Sequence, residues 1–371
     1  MDFDFTQDQQ QLREAVQRWV EKGYDFDRRR KIAQAGGFDR AAYGELAELG
    51  LTGLLIDEAH GGLGLGPVEA LVVMEELGRG IVLEPLAQTL LVSSTLARYA
   101  PDSVKQTWLP KIASGEALVT LAHQERKARC RLDVCEATAQ KTGDAYTVTG
   151  VKNLVPAGDQ AQAWLVPAQL NGKLALFLVE RDAKGAGAWG YPTWDGARAA
   201  DIKLDNAPAT LVTANGLAAL NWAVDVGIAT LCAEGAGAMD KFLAMTVDYM
   251  NQRKQFGVAI ATFQALRHRV ADMKMQLELA RGMSYYATLK LGEPEAERRQ
   301  AASRAKVQLG QALRYVGQTG VQLHGGIGVT DEYAGSHYFK KLTQMETTWG
   351  DTLTHLGEVS SRMQETAGVF A

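Results

Sequence analysis

Gln252-Arg253-Lys254-Gln255-Phe256-Gly257, followed by Phe263-Gln264 and later by Gln322-Leu323-His324-Gly325-Gly326-Ile327-Gly328, decides how this chain is read. The first piece sets a cation, an amide and an aromatic between two long helix-forming segments. The second sets an amide and three glycines at another helix boundary. Glycine lets backbone approach a ligand closely, a guanidinium matches the geometry of a phosphate, and an aromatic edge packs on a ring. A large, anionic, planar cofactor needs all three. Arg253 alone reads equally well as a cation at a helix C-terminus, where the macrodipole favours it.

The segments around these motifs are helical. Leu220 to Gln252, Phe263 to Leu291 and Pro294 to Gln318 hold a helical period over stretches far longer than the ~11 to 12 residue mean. Such lengths suit a four-helix bundle within or between chains. Glu293-Pro294 fits a helix start, because proline is tolerated in the first turn. From about residue 117 to 213 the period changes to two. Ala145 to Gly150, Ala163 to Ala168 and Leu174 to Val179 read as strands separated by Gly, Asn, Asp and Pro.

Residues 6 to about 115 return to helical spacing. Thr6 is placed to cap a helix bearing Leu12, Val16, Trp19 and Val20, and Phe38-Asp39 opens another that runs through Leu46 and Leu49. Gly61-Gly62-Leu63-Gly64-Leu65-Gly66-Pro67 is a glycine-rich connection before a helix from Val68 to Gly78. No Lys-Ser/Thr follows it, so a nucleotide P-loop is not indicated. The expected fold class is α+β, mostly α. It has a helical domain over 1–116, a central antiparallel β domain over 117–213 and a long-helix bundle over 214–371.

Bulk properties are ordinary. The chain has 371 residues, 46% apolar and 22% charged, enough to build two or three local cores. A net charge of −4 gives no electrostatic case for nucleic acid or an anionic membrane. No apolar run approaches the ~18 to 20 residues that span a bilayer, so no membrane insertion is expected. Met1-Asp2-Phe3-Asp4-Phe5 carries acids where an export signal would carry bases. Cys130, Cys135 and Cys232 lack metal-ligand spacing and read as reduced thiols of a cytoplasmic protein.

The order of R-x-x-F-G, F-Q and Q-x-x-G-G segments resembles that of the acyl-CoA dehydrogenase flavoproteins, and the α–β–α organisation is similar along essentially the whole chain. Asp57-Glu58-Ala59-His60-Gly61-Gly62-Leu63-Gly64 also resembles a loop that recurs in that family's N-terminal domain. The resemblance implies FAD as cofactor, in a site shared across a subunit boundary. It implies that Arg253 pairs with an FAD phosphate of a neighbouring subunit, with Gln255 and Phe256 on the adenosine or diphosphate side. Gln264 falls near the adenine, Gln322, Gly325 and Gly326 approach the same region, and Thr352 joins the cofactor set.

Three departures from the family pattern stand out. The T-E-P-x-x-G-S-D segment, which touches flavin and acyl thioester in the family, reads Leu121-Ala122-His123-Gln124-Glu125-Arg126-Lys127 here. The W-I-T strand that packs on the isoalloxazine reads Leu154-Val155-Pro156, and proline removes both a hydroxyl and a backbone donor. Finally, the α-proton of an acyl thioester must be taken by a base, which the family supplies as Glu in Y-E-G-T. This chain reads Trp349-Gly350-Asp351-Thr352, so the usual position is Gly350, while the family's minority position falls near Gly227. Asp351 is the candidate catalytic base, one residue beyond Gly350, and is equally a helix N-cap for the segment from Leu353. Asp225, Glu125 and Glu234 are lesser candidates.

The Met1-Asp2-Phe3-Asp4-Phe5-Thr6 opening, Tyr24 to Arg30, Gly80 to Pro85 and His337 to Leu342 resemble the small subunit of pimeloyl-CoA dehydrogenase, a subgroup that often works with a larger partner chain. The leading expectation is an FAD-dependent acyl-CoA dehydrogenase, or a subunit of one. It would convert an acyl-CoA to the trans-2-enoyl-CoA and pass electrons to an electron-transfer flavoprotein. The alternatives are a non-catalytic subunit that completes a partner's FAD pocket, and a flavin oxidase or monooxygenase on the same fold. A homo- or hetero-oligomer is implied, with no nucleic-acid partner and no metal.

Overall fold

The computed structural model describes residues 4–363 of the chain; Met1-Asp2-Phe3 and residues 364–371 lie outside the described residues. The chain forms two compact units: Met1–Asp27 with Leu71–Val82 and Ile228–Ala371, and Arg28–Ala70 with Leu83–Gly227. The first is called here the bundle unit and the second the barrel unit.

Helix α1 (Gln7–Arg18) begins where the sequence places it. Thr6 Oγ1 accepts from the Gln9 backbone N–H at 3.2 Å, and Gln9 Oε1 accepts from the Thr6 N–H at 3.0 Å, a reciprocal capping box. A π-helical turn, Trp19–Gly23, follows. Then come α2 (Phe26–Gln34), α3 (Arg40–Glu48, capped by Asp39 on Ala41 N–H), α4 (Pro67–Arg79, with proline at its first position), α5 (Leu86–Tyr99) and α6 (Asp102–Ala113).

The barrel unit is built on β1 (Val119–Leu121), β2 (Thr138–Thr142), β3 (Ala145–Pro156), β4 (Ala163–Leu170), β5 (Lys173–Glu180), β6 (Ala186–Pro192) and β7 (Arg198–Thr213). Pairing runs β4–β5–β7–β3–β2 and returns to β4, closing the ring; β6 extends from β7 and β1 from β4. The long pairings are antiparallel, as expected from the alternation, whereas β1 and β2 meet β4 in parallel. Asn171 (φ +52°) and Gly172 (φ +75°) join β4 to β5, the two left-handed residues that a type I′ hairpin turn demands. Inward-facing Trp164, Val166, Phe177, Val179, Val148, Ile202 and Leu204 fill the barrel. β3 runs past the expected Gly150 to Pro156. Its last residues pair with β7 alone, so the missing proline N–H breaks no ladder bond.

The bundle unit carries α7 (Gly216–Gln252, which begins in the barrel unit), α8 (Gln264–Leu289), α9 (Glu295–His324), α10 (Ala334–Thr347) and α11 (Thr352–Ser361). A Cβ on Gly78 of α4 would lie 2.0 Å from the Glu234 carbonyl, and one on Gly237 of α7 would lie 1.8 Å from the Glu75 carbonyl. These reciprocal glycines let α4 and α7 cross backbone to backbone. One expectation is corrected here. α7 is long and apolar enough to span a bilayer by length and composition, with a mean hydropathy of 1.5, yet 83% of that window is buried inside the protein. Averaged hydropathy tolerates scattered charges that interrupt a run. The pattern is that of a core helix.

Candidate functional site

Between α7 and α8 the chain makes a miniature hairpin of β8 (Lys254–Gln255) and β9 (Val258–Ala259), with Gln255 paired to Val258. Its turn residues are Phe256 (φ +54°) and Gly257 (φ +82°). A bulky aromatic rarely adopts the left-handed region, and this one is also 91% exposed. Its own fold gives that side chain little: among the described residues the ring packed on it is Phe263, edge to face at 6.1 Å. Arg253 is fixed by its backbone: its N–H donates to Tyr249 O and its carbonyl accepts from Ile260 N–H, both at 2.8 Å. The Arg253 guanidinium is exposed and bonds to none of the described residues, and the exposed amides of Gln255 and Gln264 are likewise unengaged.

At the end of α9, Gln322, Gly325 and Gly326 are exposed, and a 3₁₀ segment, Gly325–Val329, follows. Gly325 has φ +64°, and a Cβ on Gly325 or Gly326 would meet nothing of this chain within 4 Å. Open space lies over this backbone, as a close-approaching ligand requires.

The two motifs are brought to the same end of the bundle unit by residues the sequence analysis did not single out. Tyr249, one turn before Arg253, packs on His324 with ring centroids 4.7 Å apart. His324 Nδ1 lies 2.8 Å from the Gly320 carbonyl, which only accepts, so Nδ1 carries the proton. Its Nε2 then accepts from the Tyr333 hydroxyl at 2.9 Å. Burial holds the imidazole below its ordinary pKa, keeping it neutral against Phe242 and Tyr249. His324 stands inside the quoted motif, which was the available signal; Tyr249 offered none, because its partner is far away in sequence.

The base region lies between α10 and α11. Trp349 (φ +61°) and Gly350 (φ +99°) make the turn. A Cβ on Gly350 would approach His355 Nε2 to 3.0 Å. That nitrogen donates to the Trp349 carbonyl at 2.9 Å, while Nδ1 accepts from the Ser303 hydroxyl at 3.2 Å. Asp351 is the N-cap of α11, accepting the Thr354 N–H at 2.8 Å. Hydrogen bonds from Thr354 hold its carboxyl below the usual range, making it a stable anion and a weak proton acceptor. Thr352 turns inward: its hydroxyl donates to Glu346 Oε1 at 2.7 Å, and its N–H reaches the same oxygen at 3.1 Å. Burial works against the Glu346 charge, but these bonds, Arg314 and Lys306 more than offset it.

The remaining acids are engaged elsewhere. Glu234 pairs with Lys341 at 2.8 Å, Glu125 pairs with Lys152 at 2.6 Å inside the barrel unit, and Asp225 is buried in α7. Among the described residues no group of three or more His, Cys, Asp or Glu is arranged to hold a metal ion.

In the barrel unit, the segment replacing W-I-T has its own distinctive geometry. Leu154 adopts φ +52° with its side chain 54% exposed. Its N–H donates to Asp201 Oδ1 at 3.2 Å, and the Tyr191 hydroxyl donates to the same oxygen at 2.8 Å. Leu154 is thus an exposed apolar residue in a left-handed conformation, and Pro156 offers no hydroxyl beside it.

These features fit FAD at its diphosphate end: a free guanidinium, an exposed aromatic and unobstructed glycine backbone. With a closed β barrel between helical segments, they define the class as a flavin-dependent dehydrogenase of α–β–α organisation. Comparison with known proteins specifies it further. The profile of the acyl-CoA dehydrogenase N-terminal domain matches residues 6–116, and that of the C-terminal domain matches residues 214–364. Acyl-CoA dehydrogenase FadE12 of Mycobacterium tuberculosis is 31% identical over 88% of each chain. FadE27 of the same organism is 26% identical over 99% of this chain and 100% of its own. A chain of the ChsE4-ChsE5 complex from Mycobacterium tuberculosis superposes with a TM-score of 0.90 at 26% identity, covering 99% of this chain and 100% of that one. The chain belongs to the acyl-CoA dehydrogenase family, whose cofactor is FAD.

Proposed function

We propose that this chain is one subunit of a heteromeric FAD-dependent acyl-CoA dehydrogenase, and that a partner chain supplies the catalytic base. The observation that carries this reading is Gly350. The family's base position holds a left-handed glycine with His355 packed where a side chain would start, and the adjacent Asp351 serves as a helix cap. The similarity to a two-component ChsE4-ChsE5 complex supports the same arrangement, as does the resemblance of the N-terminal and His337 to Leu342 segments to pimeloyl-CoA dehydrogenase small subunits.

In this reading the chain binds and orients. Arg253 neutralises the cofactor diphosphate, Phe256 packs on it from its exposed turn, and Gly325 and Gly326 allow the backbone to close on it. FAD held there would supply the hydride acceptor for oxidation of an acyl-CoA to the trans-2-enoyl-CoA. Electrons pass on to an electron-transfer flavoprotein. The division at 116/117 and 213/214, and a cytoplasmic location, belong to the same proposal.

The test is co-purification. The chain alone is expected to be pale and inactive, and to become yellow and active with its native partner, activity disappearing when the partner's carboxylate base is neutralised. Turnover of an acyl-CoA by the lone homomer would overturn the proposal.

A further inference from the structure

Inside the barrel unit, a cluster with its own chemistry includes Glu125, from the segment that stands where the family has T-E-P-x-x-G-S-D. Lys152 on β3 is fully buried. Its Nζ donates to Glu125 Oε1 at 2.6 Å and to the Pro167 carbonyl at 2.7 Å, and lies 3.6 Å from Cys135 Sγ. Cys135 Sγ is also 3.3 Å from Glu125 Oε1. Glu125 accepts further from the backbone N–H groups of Glu136 and Ala137. Cys135 is only partly buried, whereas Lys152 is fully enclosed. An acid, an amine and a thiol thus meet around one point.

We infer that Cys135 and Lys152 form a peroxide-driven covalent cross-link. Cys135 is the sulfur that is oxidised, Lys152 the amine that captures it and Glu125 the base that frees that amine. Hydrogen peroxide first oxidises the thiol: the O–O bond breaks, sulfur gains one oxygen as a sulfenic acid, and water leaves. The Lys152 ammonium then passes a proton to Glu125 across the 2.6 Å contact. Burial favours this neutralisation, but the Lys152 charge and the N–H bonds from Glu136 and Ala137 outweigh it and hold the carboxyl below its ordinary range, so the free amine is a transient species. The free amine attacks sulfur, the S–O bond breaks and an S–N bond forms. The balance is sulfenic acid plus ammonium giving sulfenamide, one water and one proton.

The surroundings direct this outcome. Burial raises the Cys135 thiol pKa and the Lys152 charge partly opposes it, so the thiol reacts slowly. His123 faces the same lysine. Burial first, then the Lys152 charge, pushes its pKa down to about 3, so it stays neutral and contributes no competing cation. Cys130 is exposed on the same loop and is the competing thiol.

The test is peroxide treatment of the intact native protein followed by tryptic peptide mapping. The expected product is a peptide pair joined through Cys135 and Lys152, about 2 Da lighter than its parts, uncleaved after Lys152 and released by dithiothreitol. A Cys130→Ser variant is expected to form the same link. Glu125→Gln is expected to slow it about tenfold or more while dimedone still traps the Cys135 sulfenic acid at the native rate. A Cys130–Cys135 disulfide, a sulfinic acid on Cys135 without a link, or an unmodified Cys135 would each overturn the inference in the native protein. An unchanged rate in Glu125→Gln would remove Glu125 as the base.

Discussion

His355 donates its Nε2–H to the Trp349 carbonyl at 2.9 Å, and through this bond α11 holds the turn at the family's base position in a left-handed conformation. Trp349 and Gly350 both have positive φ, and the imidazole fills the direction in which a Gly350 side chain would grow. The loss of the carboxylate is therefore more than a change of one side chain. The local backbone has been rebuilt around a histidine.

Restoring the acid should consequently fail. Gly350→Glu places a Cβ 3.0 Å from His355 Nε2 and forces an L residue into φ +99°. A loss of about 1 to 3 kcal/mol in chemical denaturation is expected, with no gain in acyl-CoA turnover. Asp351→Asn keeps a capping oxygen for Thr354 and should leave both stability and the turnover of the assembled enzyme unchanged. A collapse of kcat in that variant, with folding intact, would return Asp351 to the mechanism.

Acid should loosen the same region. Burial, only partly opposed by the bond to the Trp349 carbonyl, pushes the His355 imidazole down to about 4, whereas an unfolded histidine titrates near 6.5. The unfolded chain therefore binds a proton that the folded chain refuses. The stability due to this group is complete above about pH 6.5 and falls as pH drops towards 4, by roughly 3 kcal/mol at most. Melting temperatures between pH 7 and 4 check this, and His355→Gln should flatten part of the slope.

The parts of this chain that were legible in advance are those written locally. The Thr6 cap, the Asp39 cap, the Pro294 start of α9 and the alternation of β4 and β5 each depend on residues a few positions apart. Arg253, Phe256, Gly325 and Gly326 stand out as candidates because their residue types are unusual together at helix ends. His355 against Trp349, Tyr249 against His324, and Lys152 between Glu125 and Cys135 were not legible. Each pairs residues whose significance exists only once the backbone has brought them together. The dual nature of Asp351, cap or base, was visible in the sequence; its bond to Thr354 shows the cap.

The α4–α7 crossing gives a test in which two effects oppose. On intrinsic propensity, Gly237→Ala in the middle of α7 should stabilise the helix by up to about 1 kcal/mol. Its new Cβ, however, would lie 1.8 Å from the Glu75 carbonyl, and backbone cannot rotate away as a side chain can. Overlap should win, with a net loss of about 1 to 3 kcal/mol. Gly282→Ala on α8, whose Cβ would meet nothing within 4 Å, is the control and should stabilise. Equal melting shifts for the two variants would contradict the crossing.

The exposed turn at Phe256 should trade stability for cofactor retention. Phe256→Gly relieves a left-handed strain that costs about 1 kcal/mol or more, so the FAD-free protein should gain stability of that order. The same change removes the aromatic that the cofactor packs against, so FAD should leave the assembled enzyme faster. Arg253→Gln separates the two effects. Its guanidinium bonds to none of the described residues, so the stability of the FAD-free protein should not move. Loss of a charge-assisted phosphate contact should still weaken FAD binding by about 10- to 100-fold. Fluorescence titration of FAD into both variants, beside denaturation of the FAD-free proteins, distinguishes a cofactor clamp from a structural turn: a structural turn would lose stability first and FAD only as a consequence.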